Sequence, residues 1–417
     1  MSTTISPIPE QGRIHYLDVL RGIAIFFIFI ANIVSFSGLF FISPEEVQAF
    51  SHPQLNSVLQ TFTSIFVDGK FYSIFSILFG IGFVIQQRNA EKVGVNFNWF
   101  FSKRMLGLLF LGLLHLYLWY GDIVHLYAIM GFFLIPFKRI GNSNLLRWAV
   151  VLTFLPVLHY IAMNILNAYY PYEFFKPADA ILIGKNYPTL EIVVPGMTDP
   201  VEIINMLEVL KNADTRELLG INVVNPLYRW GSILLEGRLF KILACFLIGI
   251  WAGRKILDAD LLSNRSLLTR IGIWGGIIGI LFTLIQINLG SLNIPGPADV
   301  WYALAYAFAV IPLACGIAAL IALWWNPNNQ FLNIFKPIGK AALSNYFFQS
   351  VISVFYFYGA GLGKMGQYQL WENYLFVIVV FAFQIVFTSI WLKYFRYGPV
   401  EWIWRSITYG RWIKMTK

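Results

Sequence analysis

The sequence predicts an all-α, polytopic integral membrane protein of about ten transmembrane helices, and three observations predict it. First, 58% of the 417 residues are hydrophobic and only 12% are charged, where soluble globular chains run about 45–50% apolar and about 25% charged. Second, the apolar residues fall in continuous runs of the length that crosses a hydrocarbon core, about 20 residues for roughly 30 Å. Their continuity, without strict alternation, excludes a transmembrane β-barrel. Third, Lys and Arg collect on alternate connections, as the positive-inside rule requires of a multi-pass chain.

Taken in order, spans are expected at 19–41, 65–87, 105–120, 122–137, 146–168, 235–253, 271–290, 300–325, 338–358 and 373–395. The first follows Arg13 and carries Arg21 at its start. It is too long for a signal-peptide core and lacks a small-residue cleavage pattern, so it is read as a retained span. The third and fourth come from one run, Met105 to Phe137, whose only charge is Asp122. As a single helix this run would extend about 50 Å, too far for one crossing without strong tilt. A tight hairpin at Trp119-Tyr120-Gly121-Asp122 instead brings Lys103/Arg104 and Lys138/Arg139 to the same side and places two aromatics at an interface.

With both termini assigned to the cytoplasm, the inner segments hold Arg13, Arg88, Lys92, Lys103, Arg104, Lys138, Arg139, Arg147, Arg254, Lys255, Arg265, Arg270, Lys336, Lys340 and a basic C-terminal tail. The loop from Ile42 to Ser64 carries Glu45 and Glu46 and no Lys or Arg, as an outer loop should. The chain thus divides into an N-terminal membrane bundle at 1–168, an extracytoplasmic insert at 169–234 and a C-terminal membrane bundle at 235–417. The insert is mildly acidic, with an amphipathic stretch near Glu202 to Leu218, and reads as a small helical cap, with a lid over a site as the alternative.

The expected location is the cytoplasmic (inner) membrane of a bacterium, with the lipid bilayer as the first partner. The net charge of +9 does not point to nucleic acid, because no folded soluble domain is present to carry a basic face. Cys245 and Cys315 both lie in apolar stretches with no His or second Cys at ligand spacing, so neither a disulfide framework nor a metal site is expected. Gly80-Ile81-Gly82 lies inside an apolar helix without a preceding strand and is no nucleotide fingerprint. Walker, HExxH and GxSxG motifs are absent from the sequence. Composition leaves a homo-oligomer open.

Ionisable groups inside a membrane are costly and mark functional candidates. The hairpin GLLHLYLWYGDIVHLYAIMG carries His115 before the turn, Asp122 at its apex and His125 on the returning helix. A carboxylate beside an imidazole fixes its tautomer and stabilises its protonated form, as a general base requires. Hydrogen bonding between helices is the alternative role. In RIHYLDVLRG, Asp18 and Arg21 are three apart on one face of the first span, either a structural ion pair or an anion site with a planar guanidinium fork. Glu236, Arg238 and Lys241, close together within or just outside the outer half of the sixth span, suggest a polar cavity. Asn345 and Gln349, four apart in SNYFFQS, suit hydrogen bonds to a neighbouring helix.

Five segments taken in order, RIHYLDVLRGIAIFFIFIANI, FSILFGIGF, GLLHLYLWYGDIVHLYAIMG, IGKAALSNYFFQS and GPVEWIWRSITYG, give the chain a resemblance to the bacterial YeiB-like family, whose C-terminal part is domain of unknown function 418. That family is similar in turn to the transmembrane acyltransferases, which include the lysosomal enzyme that acetylates heparan-sulfate glucosamine. The resemblance implies transfer of an acyl group from cytosolic acyl-coenzyme A, as co-substrate rather than resident cofactor, to a hydroxyl or amine of an extracytoplasmic acceptor. It implies His115 as the catalytic base with Asp122 tuning it. Arg21 and Arg104 would hold coenzyme A phosphates, and Asp18, His125, Glu236, Arg238 and Asn345 complete the substrate-binding set. Older descriptions of the family lean toward transport, so a small-solute transporter with Asp122, His115 and Arg238 along its pathway stays open as the alternative. A non-catalytic scaffold is a third.

Overall fold

The structure, a computed structural model, describes residues 14–42, 50–192, 201–292 and 294–417. Arg13, Glu45, Glu46 and Asp199 lie outside the described residues. The fold is helical, as expected. Its elements are α1 (His15–Phe36), α2 (Pro53–Phe66), α3 (Lys70–Lys92), α4 (Phe97–Leu118), α5 (Val124–Phe132), α6 (Asn142–Leu166), α7 (Tyr172–Ile183), the antiparallel strands β1 (Thr189–Ile192) and β2 (Val201–Ile204), α8 (Met206–Asn212), α9 (Thr215–Ile221), α10 (Asn225–Leu235), α11 (Arg238–Ala259), α12 (Arg265–Ile287), α13 (Ala298–Trp324), α14 (Ala342–Phe357), α15 (Leu370–Tyr394) and α16 (Pro399–Tyr409).

Among the described residues, 7 helical stretches are long and apolar enough to cross a membrane: α1, the α2–α3 stretch, α4, α6, α12, α13 and α15. The protein is therefore a polytopic helical membrane protein. Three further helices, α5, α11 and α14, stand where the sequence places spans, but α5 has 9 residues, α14 has 16 and α11 starts on charged groups. At 1.5 Å per residue, α5 extends only about 14 Å. It packs inside the bundle, its Val124–Ala128 turn buried among neighbouring helices. The outward surface is apolar: Ile273, Trp274, Ile277 and Leu281 of α12 are exposed, as are Val379, Phe383, Val386 and Phe387 of α15. Such belts are the contact surface that lipid provides and water would penalise.

Small residues set the close helix contacts. A Cβ at Gly80 of α3 would come within 2.2 Å of the Phe246 carbonyl oxygen on α11, so Gly80 marks a helix crossing. The insert folds as α7, the β1–β2 hairpin and α8–α10, and sits on the 119–122 hairpin. Helix α4 ends with carbonyls that no later turn can pair. The insert supplies the donors: Asn225 Nδ2 reaches the Leu116 carbonyl at 3.1 Å and Asn222 Nδ2 the Leu118 carbonyl at 3.5 Å.

Candidate functional site

The tight hairpin forms where the sequence places it. Helix α4 stops at Leu118, and the Asp122 N–H donates to the Trp119 carbonyl at 3.3 Å before α5 begins. One expectation needs correction: Trp119 does not face a membrane interface. It is buried and stacked on Phe36 at 4.0 Å between ring centroids, because the turn faces α1 and the insert rather than lipid. Gly112 lets the two arms touch, since a Cβ there would lie 2.3 Å from the His125 backbone nitrogen.

The contact gathers His115, Asp122 and His125 into one fully buried cluster. Asp122 Oδ1 lies 2.7 Å from His115 Nδ1, and Oδ2 lies 2.6 Å from His125 Nδ1 and 2.9 Å from the His125 backbone nitrogen. An ionised carboxylate only accepts, so a neutral imidazole facing it must carry its proton on Nδ1. Both histidines are thereby held as Nδ1–H tautomers with Nε2 left as an acceptor. His115 Nε2 is 2.8 Å from the Ser350 hydroxyl on α14, and that hydroxyl is the donor. His125 Nε2 is buried without a partner among the described residues. Arg229, which sequence reading missed, is buried and donates from Nε to the Asp122 backbone carbonyl at 2.7 Å. Its signal was an Arg in the otherwise apolar amphipathic stretch PLYRWGSILL just ahead of the expected sixth span.

Two cavities lie beside this cluster. The larger, about 620 Å³, is found near the start of α3 and is lined by Asn56, Asp68, Tyr72, Arg229, Glu236, Arg238, Tyr302, Tyr306 and Tyr346 among others. Glu236 and Arg238 pair through two hydrogen bonds and face it together. Lys241 instead lies over the Tyr306 ring, 3.8 Å from its centroid. Of the three charges, Glu236 and Arg238 line this cavity and Lys241 does not.

The second cavity, about 540 Å³, lies near the end of α3. Its lining includes Arg21, Arg88, Lys92, Arg104, Lys340 and Arg405 with only Asp18 and Glu401 as acids. Asp18 Oδ1 accepts from Arg21 at 3.0 Å, the ion pair anticipated from their spacing. Arg104 lies 3.7 Å over the Trp404 ring, and Trp404 Nε1 donates to the Arg104 carbonyl at 2.8 Å. The buried Nε of Arg104 has no partner among the described residues. Helix α16, which carries the GPVEWIWRSITYG segment, thus builds one wall. Its Glu401 accepts from the Leu343 and Ser344 backbone N–H groups at 2.6 and 3.2 Å, capping the first turn of α14. Trp404 and Arg405 were not singled out within their segment, because nothing in the chain order brings α16 next to α4.

The two cavities share Phe75, Val124, Tyr127, Ala342 and Leu343 in their linings, so a layer one side chain thick separates them. His115 lines neither; the Tyr346 and Phe347 rings cover it at 4.9 and 4.4 Å between centroids. Asn345 faces α15, where Thr388 donates to its Oδ1 at 3.1 Å and Gln384 to its carbonyl at 2.9 Å, while Gln349 donates to Gln384 at 3.0 Å. That is the helix-to-helix bonding expected of the pair. No group of metal-ligating side chains occurs among the described residues.

A helical membrane protein with a buried carboxylate between two imidazoles, set at the junction of an aromatic polar cavity and a cationic one, is the class that fold and site define. Residues 252–411 match the family model described as a protein of unknown function, DUF418. The uncharacterized protein YxaH of Bacillus subtilis (strain 168) is 28% identical over 426 residues, covering 100% of this chain and 99% of its own length. The uncharacterized protein YeiB of Escherichia coli (strain K12) is 25% identical over 412 residues, covering 94% and 95%. The chain is similar to both proteins over nearly its whole length, and its C-terminal part matches the DUF418 model. No solved structure matches it significantly.

Proposed function

We propose that this protein is an acyltransferase of a bacterial cytoplasmic membrane, moving an acyl group from cytosolic acyl-coenzyme A to a hydroxyl or amine of an extracytoplasmic acceptor. The observation that carries this reading is the pair of cavities meeting beside the His115–Asp122–His125 cluster. The cationic cavity suits a phosphate-bearing donor. Guanidinium groups recognise phosphate through paired donors, and Arg104 has a buried donor to spend. The tyrosine-lined cavity offers an acceptor both aromatic faces and polar tips. The Nδ1–H tautomer of His115 leaves Nε2 to receive a proton, and Asp122 stabilises the imidazolium that results. Asp18, Arg21 and Arg104 belong to the donor side in this reading; Glu236, Arg238 and Arg229 belong to the acceptor side.

The experiment is binding and slow hydrolysis of acetyl- and palmitoyl-coenzyme A by purified protein in detergent. Binding with release of free coenzyme A supports the reading, and neither binding nor release would leave a small-solute transporter as the better account. Orientation is tested separately: cysteine at Glu173 on the insert should react with an impermeant thiol reagent outside intact cells, and cysteine at Asp258 should not. The reverse pattern would invert the assignment of donor and acceptor sides.

A further inference from the structure

The bond from Ser350 to His115 was not anticipated, and it changes what the histidine can do. A general base acting directly on the acceptor would present Nε2 to a cavity, yet here Nε2 is occupied by a serine hydroxyl at 2.8 Å. We infer that Ser350 is the nucleophile of an Asp122–His115–Ser350 triad, so that acyl transfer proceeds through an ester on Ser350 rather than by direct attack of the acceptor. This deepens the acyltransferase reading and rests on it.

The three groups come from three elements, α4, the turn and α14, and each is buried. Their roles follow from the hydrogen bonds in order. Asp122 accepts from His115 Nδ1, which leaves Nε2 as the acceptor for the Ser350 proton. The competing acceptor for that proton, the Tyr346 carbonyl one turn back, is at 3.4 Å, so the imidazole is the shorter contact by a clear margin. A serine hydroxyl aimed at an imidazole that a carboxylate orients is the arrangement that activates serine in acyl transfer, and it recurs on unrelated folds. Ordinary helix bonding explains Asn345 and Gln349 on the same helix, whose partners on α15 are the neutral Gln384 amide and Thr388 hydroxyl. It does not explain a chain that ends on a carboxylate flanked by two imidazoles.

The chemistry balances within these residues. Ser350 Oγ attacks the thioester carbonyl while its proton passes to His115 Nε2. The C–S bond breaks, and the departing thiolate takes that proton, leaving free coenzyme A and a Ser350 ester. The acceptor hydroxyl or amine then attacks the ester carbonyl, giving its proton to Nε2. His115 returns it to Ser350 Oγ as the C–O bond to the enzyme breaks. Ser350 is buried and lines neither cavity; Tyr346, which lines the larger one, covers His115 beside it.

The test uses the full chain in detergent. Wild-type protein is treated with a fluorophosphonate, which reacts with activated serines, and the labelled residue is found by peptide mass spectrometry. Label at Ser350, lost in Ser350→Ala and reduced at least about tenfold in His115→Ala, is expected. With acetyl-coenzyme A, an acid-stable ester on the 342–357 peptide should appear in wild type, and Ser350→Ala should lower turnover by about 10³-fold or more. Ser350→Ala with wild-type turnover per folded molecule, or wild-type protein that shows neither label nor ester at Ser350, overturns the proposal. The label needs no variant to fold. Label at Ser350 without any acyl-coenzyme A binding would retain the nucleophile and remove the donor, which separates this inference from the acyltransferase reading.

Discussion

The hairpin cluster and the cationic cavity both put charge inside a membrane protein, but they balance it differently. At the hairpin, one carboxylate accepts from two imidazoles and a backbone N–H, every contact at 2.9 Å or less. Along the cavity wall, Arg21 pairs with Asp18 and Arg88 with Asp258, while a buried guanidinium nitrogen of Arg104 has no acceptor among the described residues. Charge that is satisfied internally is part of the fold, and removing one member strands the others. A buried cationic donor left without an acceptor adds nothing to the fold and suits a ligand that brings one. The two regions should therefore respond oppositely to substitution.

The largest effect expected is on stability at the hairpin. Asp122→Ala leaves the His115 and His125 Nδ1 donors and the His125 N–H facing an apolar methyl, a loss of about 3–5 kcal/mol by analogy with breaking a buried charged pair. Thermal unfolding in detergent measures it, and an unchanged midpoint would show that the cluster is not part of the fold's support. Next is Arg104→Ala, which should leave the midpoint nearly unchanged but weaken acyl-coenzyme A binding by about 1.5–3 kcal/mol, roughly 10- to 150-fold. Equal affinity in the two proteins, measured by calorimetry, would place the anion elsewhere. Arg21→Lys should restore only part of what Arg21→Ala loses, since an ammonium lacks the planar fork. The smallest effect is at the insert: Asn225→Ala unpairs the Leu116 carbonyl and should cost about 1 kcal/mol, with ligand affinity unaltered.

The same contrast explains what the sequence could tell. The hairpin was readable because its parts are local: the His115, Asp122 and His125 of one short run need only a tight turn to meet, and an unbroken apolar stretch too long for one crossing demands that turn. Asp18 and Arg21 were readable for the same reason, three residues apart on one helix. Ser350, Arg229 and Trp404 were not, since they reach their partners across 235, 107 and 300 positions of chain. The GPVEWIWRSITYG segment was recognisable as a pattern, but its work, capping α14 through Glu401 and stacking Trp404 on Arg104, follows from tertiary packing alone. Span boundaries suffered where tertiary burial replaced lipid. Helix α5 can be short because protein surrounds it.

The central claim is that His115 moves protons and does not merely join helices. His115→Ala should lower acyl transfer or acyl-coenzyme A hydrolysis by about 10²–10⁴-fold, the usual contribution of a general base, while affinity for acyl-coenzyme A stays within a few-fold. Asp122→Asn should give a smaller version of the same defect, because the amide keeps a hydrogen-bonding group at the turn but removes the charge that favours the imidazolium. Melting temperature, ligand affinity and turnover are measured on the same preparations of wild type and His115→Ala. Lost turnover per folded molecule with retained affinity is the predicted result, alongside whatever stability the variant loses, and normal turnover per folded molecule with a lowered melting temperature would contradict it.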